Sequence, residues 1–266
     1  MFKQHFGMKT NTFDKEVDST DLYAGGDIKE LDSRLKYMLD IRGIFLLVGE
    51  PGSGKTTALR KFRDSLGPAL YKPFYIKLTT VTVNDFYNAL ASELGEEPRY
   101  RKVDMFKQIQ SAISSLYFEQ RITPVIILDE MHMASSAILD DIRLFCNFRM
   151  DSVNPYLLII AGQPSIRSKL AINTGLPLKQ RIGGKYTMKG LTETETHEYI
   201  KSRMTLAGVT REVFSDQAVT QIHLSSNGFP RNINNIANAC LIYCKWKNLE
   251  TVDEEVVYQA NTELAL

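Results

Sequence analysis

A glycine-rich segment early in the chain carries the residue types that hold phosphate. It reads Gly49-Glu50-Pro51-Gly52-Ser53-Gly54-Lys55-Thr56 and continues into Thr57. Glycines at this spacing let successive backbone N–H groups turn toward an anion, while the Lys55 ammonium can reach phosphate oxygens. The Thr56 hydroxyl is a ligand of the kind that Mg²⁺ takes. Because the apolar run 44–48 precedes it, the segment is typical of a phosphate-binding loop rather than of a Gly-rich turn, and it predicts a site for ATP and Mg²⁺.

A second apolar run, residues 124–128, ends in two adjacent carboxylates, Asp129 and Glu130. Such strand ends lie at the carboxyl edge of an open α/β sheet, where ligands bind. Alone, the pair could be a solvated turn. Beside a phosphate-binding loop it predicts Mg²⁺-dependent hydrolysis, in which Asp129 holds the metal and Glu130 polarises the attacking water. His132 follows closely and could act only through Glu130.

Apolar periodicity divides the chain into alternating strands and helices, followed by helices alone. Strands are predicted at residues 44–48, 71–78, 124–129, 156–162 and 185–188. Helices are predicted around them at residues 27–40, 57–63, 83–94, 103–119 and 136–148, the first capped by Asp27. Beyond the last strand, helices are predicted at residues 192–207, 215–226, 230–247 and 252–263. We therefore expect an α/β domain over residues 1–190, with an N-terminal extension 1–26, and a small helical domain over residues 191–266.

The overall composition is close to electrically neutral. The chain has 32 Lys and Arg against 31 Asp and Glu, so no global field argues for or against nucleic acid. Cys146, Cys240 and Cys244 form no paired metal motif and are expected to be core thiols in a reducing compartment rather than zinc ligands. No apolar stretch approaches about 18 residues, and no signal-peptide pattern is present. We expect a soluble cytoplasmic protein with no membrane partner.

The order of these motifs resembles the AAA+ ATPases over nearly the whole chain. The resemblance rests on the phosphate-binding loop, the Asp129-Glu130 pair, a polar residue after the fourth strand, and Gly228-Phe229-Pro230-Arg231 in the helical domain. It implies a P-loop NTPase fold of the α/β class, with a parallel sheet flanked by helices and a small C-terminal helical lid.

A narrower resemblance links the chain to the ExeA/TniB/TnsC group. It is carried by Phe6-Gly7, Thr12-Phe13 and Gly162-Gln163-Pro164, together with the loop and carboxylate motifs. That group includes ATP-dependent helpers of DNA transposition and an ATPase of bacterial secretion. The secretion members carry a membrane span and a wall-binding region, whereas this chain has neither pattern. The chain therefore looks more like a transposition helper that works with a transposase.

The resemblance also implies roles for single residues. Lys55 and Thr56 match the phosphate and magnesium residues, and Asp129 and Glu130 match the metal and water residues. Gln163 occupies the sensor-one position near the γ-phosphate, and Arg231 matches the sensor-two arginine that ties the lid to the nucleotide. Arg181 matches an arginine finger that acts on the next subunit, which implies a homo-oligomer, either a ring or a helical filament. The competing candidates for the finger are Arg143, Arg149 and Arg167.

Candidate DNA contacts lie in two segments. Arg99, Arg101 and Lys102 are interleaved with Tyr100 and could follow phosphates while the ring stacks on bases, although such clusters are commonly solvated helix starts. The second segment follows the second predicted strand and offers a lysine and hydroxyls for backbone contacts, namely Lys77, Thr79 and Thr80.

Two classes of function follow from these observations. The leading interpretation is an ATP-dependent protein that oligomerises on double-stranded target DNA and recruits or stimulates a transposase. The alternative is a nucleotide switch with protein partners only, such as a secretion or signalling ATPase. The near-neutral charge favours the second class. The narrower resemblance and the lack of a membrane-span pattern favour the first.

Overall fold

The computed structural model describes residues 2–14, 18–78, 82–150, 152–172 and 175–264. The chain divides into two compact units. The α/β unit comprises Glu30–Glu50 and Lys55–Met188, and the helical unit comprises Met1–Lys29, Pro51–Gly54 and Lys189–Leu266. The tip of the phosphate-binding loop is therefore grouped with the helical unit, while the residues on either side of it belong to the α/β unit.

The described residues of the α/β unit contain one five-stranded parallel sheet. Its strands are β1 (Gly43–Val48), β2 (Tyr71–Lys77), β3 (Thr123–Asp129), β4 (Leu157–Gly162) and β5 (Ile182–Thr187). Their order across the sheet is β2-β3-β4-β1-β5. The central strands β1, β3 and β4 are buried almost throughout, as expected for a parallel sheet with both faces covered. The predicted α/β fold is confirmed.

Helices flank the sheet and form the C-terminal region. In chain order they are α1 (Phe2–Phe6), α2 (Gly26–Ile41), α3 (Lys55–Asp64), α4 (Val83–Glu93), α5 (Lys102–Ser114), α6 (Ser136–Phe145), α7 (Ser165–Ala171), α8 (Leu176–Gln180), α9 (Glu193–Leu206), α10 (Asp216–Ser226), α11 (Pro230–Lys247) and α12 (Glu254–Leu264). Reciprocal capping boxes start α4, through Thr82 and Asp85, and α9, through Thr192 and Glu195. These local signals explain why both starts agree closely with the sequence-based expectation.

The fifth strand begins earlier than expected. The apolar pattern predicted a strand at 185–188, but β5 starts at Ile182 because Gly183 and Gly184 are part of it. A Cβ atom on Gly184 would lie 2.7 Å from Phe45 Cδ2 and 2.9 Å from Met38 Sδ. The close packing against the neighbouring strand and helix thus requires a residue without a side chain. Because the two glycines interrupt the apolar pattern, the first residues of β5 were not predicted.

Several helix boundaries also differ from expectation. The helix predicted at 103–119 is α5 followed by a π-helical turn, Ser115–Glu119. The helix predicted at 136–148 ends at Phe145, where α6 stops. The short helices α7 and α8 between β4 and β5 were not predicted, because segments of five to seven residues are too short to reveal a helical period.

The N-terminal segment packs inside the helical unit. Phe6, Met8 and Phe13 are buried in its apolar core, and the Phe13 ring meets Phe214 edge-on at 6.1 Å. The expectation that residues 1–26 extend the α/β domain differs from this packing, because irregularly spaced apolar residues do not reveal which core they join. Asp27 likewise does not cap a helix. Its carboxylate accepts hydrogen bonds from the backbone of Lys189 and Gly190, at 2.6 and 3.0 Å.

The three cysteines are buried and form no disulfide bond. Burial raises the pKa of Cys240 to about 12, and burial together with Asp253 raises the pKa of Cys244 to about 11. Both thiols therefore stay protonated as part of the apolar packing of α11. Among the helices that the structure describes, none has both the length and the apolar character needed to cross a membrane.

Candidate active site

The carboxyl edge of the sheet gathers most of the sequence-predicted site residues. β4 lies between β3 and β1, so the segments after these three strands are neighbours at one edge. The phosphate-binding loop follows β1, Asp129 ends β3, and Gln163 follows β4. The loop and the β4 end are also joined directly, because the Gly49 N–H donates to the Gly162 carbonyl at 3.2 Å. Ligands of open parallel sheets bind at this edge.

Two glycines give the loop its shape. Gly52 and Gly54 have φ angles of +83° and +93°, in the region that side chains rarely adopt. Within the helical unit, the Arg231 N–H donates to the Gly52 carbonyl at 3.3 Å. A Cβ atom on Gly52 would lie 2.8 Å from the Arg231 Cβ. The start of α11 thus touches the loop tip, and any side chain at position 52 would force the two apart.

The Lys55 ammonium lies within the loop rather than in solvent. Lys55 is 7% exposed, and its Nζ donates to the carbonyls of Gly49 at 2.8 Å and Glu50 at 3.0 Å. The nearby Ser53 hydroxyl is buried and has no hydrogen-bond partner among the described residues. A buried cation and an unsatisfied buried hydroxyl beside turned backbone amides fit an anionic ligand such as a nucleotide phosphate.

Asp129 is held by three donors. Thr56 Oγ1 donates to Asp129 Oδ2 at 2.8 Å, and the Tyr75 hydroxyl donates to the same oxygen at 3.0 Å. The Glu130 N–H donates to Asp129 Oδ1 at 2.8 Å. Hydroxyl and carboxylate oxygens are ligands that Mg²⁺ prefers, so Thr56 and Asp129 fit the metal that the loop implies. The divalent ion would supply charge that neutralises phosphate oxygens.

Tyr75 was missed by sequence analysis. It lies in β2, two residues before Lys77, whose Cα pairs with that of Asp129 in β3. No local signal distinguishes this tyrosine from the others, because only the register of two strands brings its hydroxyl to the carboxylate. Burial, followed by the negative charges of Asp129 and Glu130, raises the pKa of the Tyr75 phenol above its ordinary value. The phenol therefore stays protonated and remains a donor.

Glu130 has an unusual backbone conformation. Its φ and ψ angles of 60° and 27° lie in the left-handed region, which is uncommon for a residue other than glycine. Such strain persists where the surrounding structure imposes it, and it concentrates at functional sites. The largely buried His132 ring has its Nδ1 atom 3.5 Å from Glu130 Oε2, which is longer than a hydrogen bond. The direction of the Glu130 side chain is thus set by its backbone conformation rather than by a hydrogen bond from a neighbouring side chain.

Arg181 lies away from the carboxyl edge. It directly precedes β5, and the first residue of β5, Ile182, pairs with Ile44 near the amino end of β1. The phosphate-binding loop begins five residues later, at Gly49, which is roughly 17 Å along a strand. An arginine side chain does not span that distance.

The competing arginines have different surroundings. The Arg149 guanidinium stacks on Phe118, with its Cζ atom 3.9 Å from the ring centroid. Arg167 donates to the Thr187 hydroxyl. The Nε atom of Arg143 is buried and has no hydrogen-bond partner among the described residues. Arg149 and Arg167 therefore have contacts within their own unit that account for their positions.

The basic cluster before α5 divides into exposed and engaged residues. Arg99, Tyr100 and Arg101 are exposed, and so is Lys77 at the end of β2. Lys102 differs, because its Nζ lies 2.7 Å from a carboxylate oxygen of the buried Asp141. Removing Lys102 would leave that carboxylate without its cation, so its first role is structural. Thr79 and Thr80 lie outside the described residues.

Replacing Tyr75 with Phe is expected to lower the affinity of the site for Mg²⁺ without changing metal-free nucleotide binding. The change removes one donor that fixes the Asp129 carboxylate, and loss of such a partner lowers metal affinity by roughly tenfold or more. The measurement is binding of a fluorescent ATP analogue across a Mg²⁺ titration. Tyr71→Phe, on the same strand, is the control. An unchanged Mg²⁺ midpoint in Tyr75→Phe would contradict the role.

Comparison with known proteins agrees with this geometry. Residues 39–170 match the family described as an AAA domain. The chain is 29% identical over 248 residues to general secretion pathway protein A of Aeromonas hydrophila, covering 91% of this chain and 44% of that protein. It spans less than half the length of the curated relatives that it matches.

Solved structures share the fold at low sequence identity. The Aeropyrum pernix ORC2 protein, solved as ADPNP–ADP complexes, has a TM-score of 0.66 and 16% identity, covering 96% of this chain and 72% of that one. The Aeropyrum pernix ORC1 protein, solved in complex with DNA, has a TM-score of 0.65 and 18% identity, covering 92% and 67%. Together with the loop, the sheet order and the carboxylate pair, these likenesses lead to one conclusion: the chain has the P-loop NTPase fold, and its residues 39–170 match the AAA domain family.

Proposed function

We propose that this protein hydrolyses ATP, assembles as an oligomer on double-stranded DNA, and recruits or stimulates a transposase. The observation that carries the proposal is the arrangement at the carboxyl edge of the sheet. There, Lys55 is buried in a glycine loop, and Asp129 is fixed by Thr56 and Tyr75 beside the strained Glu130. This is the set of groups that phosphoryl transfer to water requires.

Each residue contributes a separate function in this proposal. The loop amides and Lys55 bind and orient the phosphates, while Thr56 and Asp129 hold the Mg²⁺. Glu130 accepts a proton from the attacking water. Gln163, after β4, and Arg231, beside Gly52, would respond to the nucleotide and couple its presence to the helical unit.

The position of Arg181 supports assembly. Because it lies near the amino end of β1, it cannot serve the phosphate loop of its own subunit. In this proposal Arg181 therefore completes the site of a neighbouring subunit, and hydrolysis would depend on association.

Turnover per subunit is therefore expected to rise with protein concentration as subunits associate. In mixtures, Arg181→Ala and Lys55→Ala should partly rescue each other, because one supplies an intact loop and the other an intact arginine. Arg149→Ala is the matched control, since its guanidinium already stacks on Phe118. Steady-state ATPase assays with light scattering test this. Two results in a demonstrated mixed oligomer would contradict this role. They are no rescue between Arg181→Ala and Lys55→Ala, and a loss of activity in Arg149→Ala that Lys55→Ala rescues.

Three observations support DNA as the partner. Lys77, Arg99 and Arg101 are exposed cations on the α/β unit. The fold is shared with an ORC1 protein that was solved in complex with DNA. The motifs around Phe6, Thr12 and Gln163 resemble the ExeA/TniB/TnsC group, which includes helpers of DNA transposition, and this is the basis for proposing a transposase rather than another DNA-bound enzyme.

DNA binding is expected to require ATP and to fall steeply with salt. One subunit of net charge +1 has little electrostatic attraction for DNA, whereas an oligomer repeats each cationic site. Backbone contacts by several such sites should lose orders of magnitude in affinity between about 50 and 200 mM salt, with random and defined duplexes alike. Gel shifts with a non-hydrolysable ATP analogue measure this.

The matched variants remove equal charge. Lys77→Ala with Arg99→Ala and Arg101→Ala should weaken binding strongly, whereas Lys36→Ala with Lys72→Ala and Lys201→Ala should not. Lys102 is kept in both because it compensates Asp141. DNA binding that is the same with and without the ATP analogue, or an equal loss of DNA affinity in both variants, would contradict the role of Lys77, Arg99 and Arg101 in binding DNA.

A second candidate is a nucleotide switch whose partners are proteins. The similarity to general secretion pathway protein A favours it, because that match covers 91% of this chain. The same gel shifts separate the two candidates. Absence of duplex binding in every nucleotide state would favour the protein-only switch.

A further inference from the structure

The end of α11 presents an aromatic and cationic cluster that the nucleotide site does not use. We name Tyr243, Lys245, Trp246 and Lys247 the lysine–tryptophan surface. Trp246 is 71% exposed, and Lys247 Nζ lies 4.1 Å from its ring centroid. The Tyr243 ring lies 6.0 Å from the Trp246 ring at a steep angle. Lys245 is exposed beside them.

Tyr243 packs partly against the core of the helical unit, whereas Trp246 and the two lysines are exposed and do not belong to that core. The side of α11 that faces the core is formed by Cys240, Leu241 and Cys244, which are fully buried. Trp246 therefore leaves a large apolar ring in water, next to Ile242, which is also exposed. An exposed apolar group of this size, held at its edge by another ring, points to a binding function.

The surrounding charges indicate the kind of ligand. Lysine is depleted at the centre of protein–protein interfaces, whereas Trp246 has a lysine on either side in the chain. Aromatic rings combined with cations are the groups that bind unpaired nucleotides, since bases stack on the rings and phosphates meet the cations. The next acidic residue along the chain is Glu250. Its Oε2 atom lies 3.4 Å from Nη1 of Arg211, so its charge is shared with that arginine rather than available only to the lysines.

We propose that the lysine–tryptophan surface binds single-stranded nucleic acid, with an unpaired base stacking on Trp246 and the backbone meeting Lys245 and Lys247. In a duplex the base faces are stacked on one another and cannot reach the ring. This site lies in the helical unit and is separate from the duplex contacts proposed on the α/β unit. It does not rest on ATP hydrolysis or on a transposase.

The chain offers a direct probe, because Trp246 is its single tryptophan. The full-length protein without nucleotide is titrated with an oligothymidylate of about 20 nucleotides, long enough for one such site. Stacking should quench the tryptophan emission and protect it from acrylamide. The same titration with a duplex of equal length should give much less quenching at equal concentration.

Variants test which groups carry the binding. Trp246→Ala should weaken oligothymidylate binding, followed by anisotropy of a labelled strand, by roughly 5- to 150-fold. Lys245→Ala and Lys247→Ala should each lower the salt slope by about 0.7. Tyr258→Ala, an exposed aromatic change on α12, and Lys201→Ala are the matched controls and should change neither quantity.

Several results would overturn the proposal. These are absence of quenching at every oligothymidylate concentration, equal quenching by duplex, or binding by Trp246→Ala that matches the parent. An emission shift that depends on protein concentration alone, together with an oligomer seen by light scattering that Trp246→Ala disrupts, would assign the surface to a second copy of the chain. Duplex binding with ATP but no tryptophan quenching would leave the proposed function intact and remove only this site.

Discussion

Glu130→Gln is expected to keep ATP binding while turnover falls by about 10²-fold or more. The amide keeps the size and the backbone preference of the side chain, so the left-handed turn after β3 should be retained. It cannot take a proton from water, however. Because the Glu130 N–H rather than its side chain orients Asp129, the metal ligand should remain in position. The variant should therefore accumulate in its ATP-bound assembly.

Single-turnover and steady-state ATPase rates measure this effect, alongside affinity for a fluorescent ATP analogue. Glu97→Gln is the matched control, since this exposed carboxylate belongs to the same unit but lies away from the strand ends. Hydrolysis at the parental rate in Glu130→Gln would show that Glu130 is not the base. Loss of both binding and turnover would instead indicate that the side chain supports the fold of the site.

Lys55→Ala is expected to weaken ATP binding by about 10²-fold or more, because it removes a buried charged partner of the phosphates. In the structure the ammonium already lies within the loop, donating to the carbonyls of Gly49 and Glu50. Without it, those carbonyls would face the phosphates uncompensated. The loss should therefore exceed that of removing a cation from the surface.

Calorimetry with ATP and with ADP measures the change, and circular dichroism checks that the fold persists. Lys61→Ala, on the same helix but outside the loop, is the control. ATP affinity equal to that of the parent protein would mean that the loop does not hold the nucleotide.

Much of the α/β unit could be predicted because its signals are local. The apolar runs of β1, β3 and β4 are unbroken, since central parallel strands are buried on both faces. The capping boxes at Thr82 and Thr192 mark the first residues of α4 and α9. Where local signals conflicted with packing, the prediction was wrong, as at Gly183 and Gly184 in β5.

The candidate site divides in the same way. The phosphate-binding loop and the Asp129-Glu130 pair are each a short continuous stretch of the sequence, so residue types and their spacing are enough to predict them. Tyr75 is different, since its hydroxyl reaches Asp129 only through the register of β2 against β3. Lys102 and Asp141 are likewise paired across two helices, which changes how the basic cluster before α5 is interpreted.

The sequence by itself determined the residue types of the loop, the order of the strands and of the longer helices along the chain, and the fold class. Those properties follow from residue type and short spacing, which the chain carries in its linear order. Only the tertiary structure decided that the N-terminal segment packs in the helical unit, that Tyr75 fixes Asp129, and that Trp246 stays exposed beside two lysines. Those facts depend on contacts between residues far apart in the chain, and the relevant free energies come from packing that no local pattern encodes.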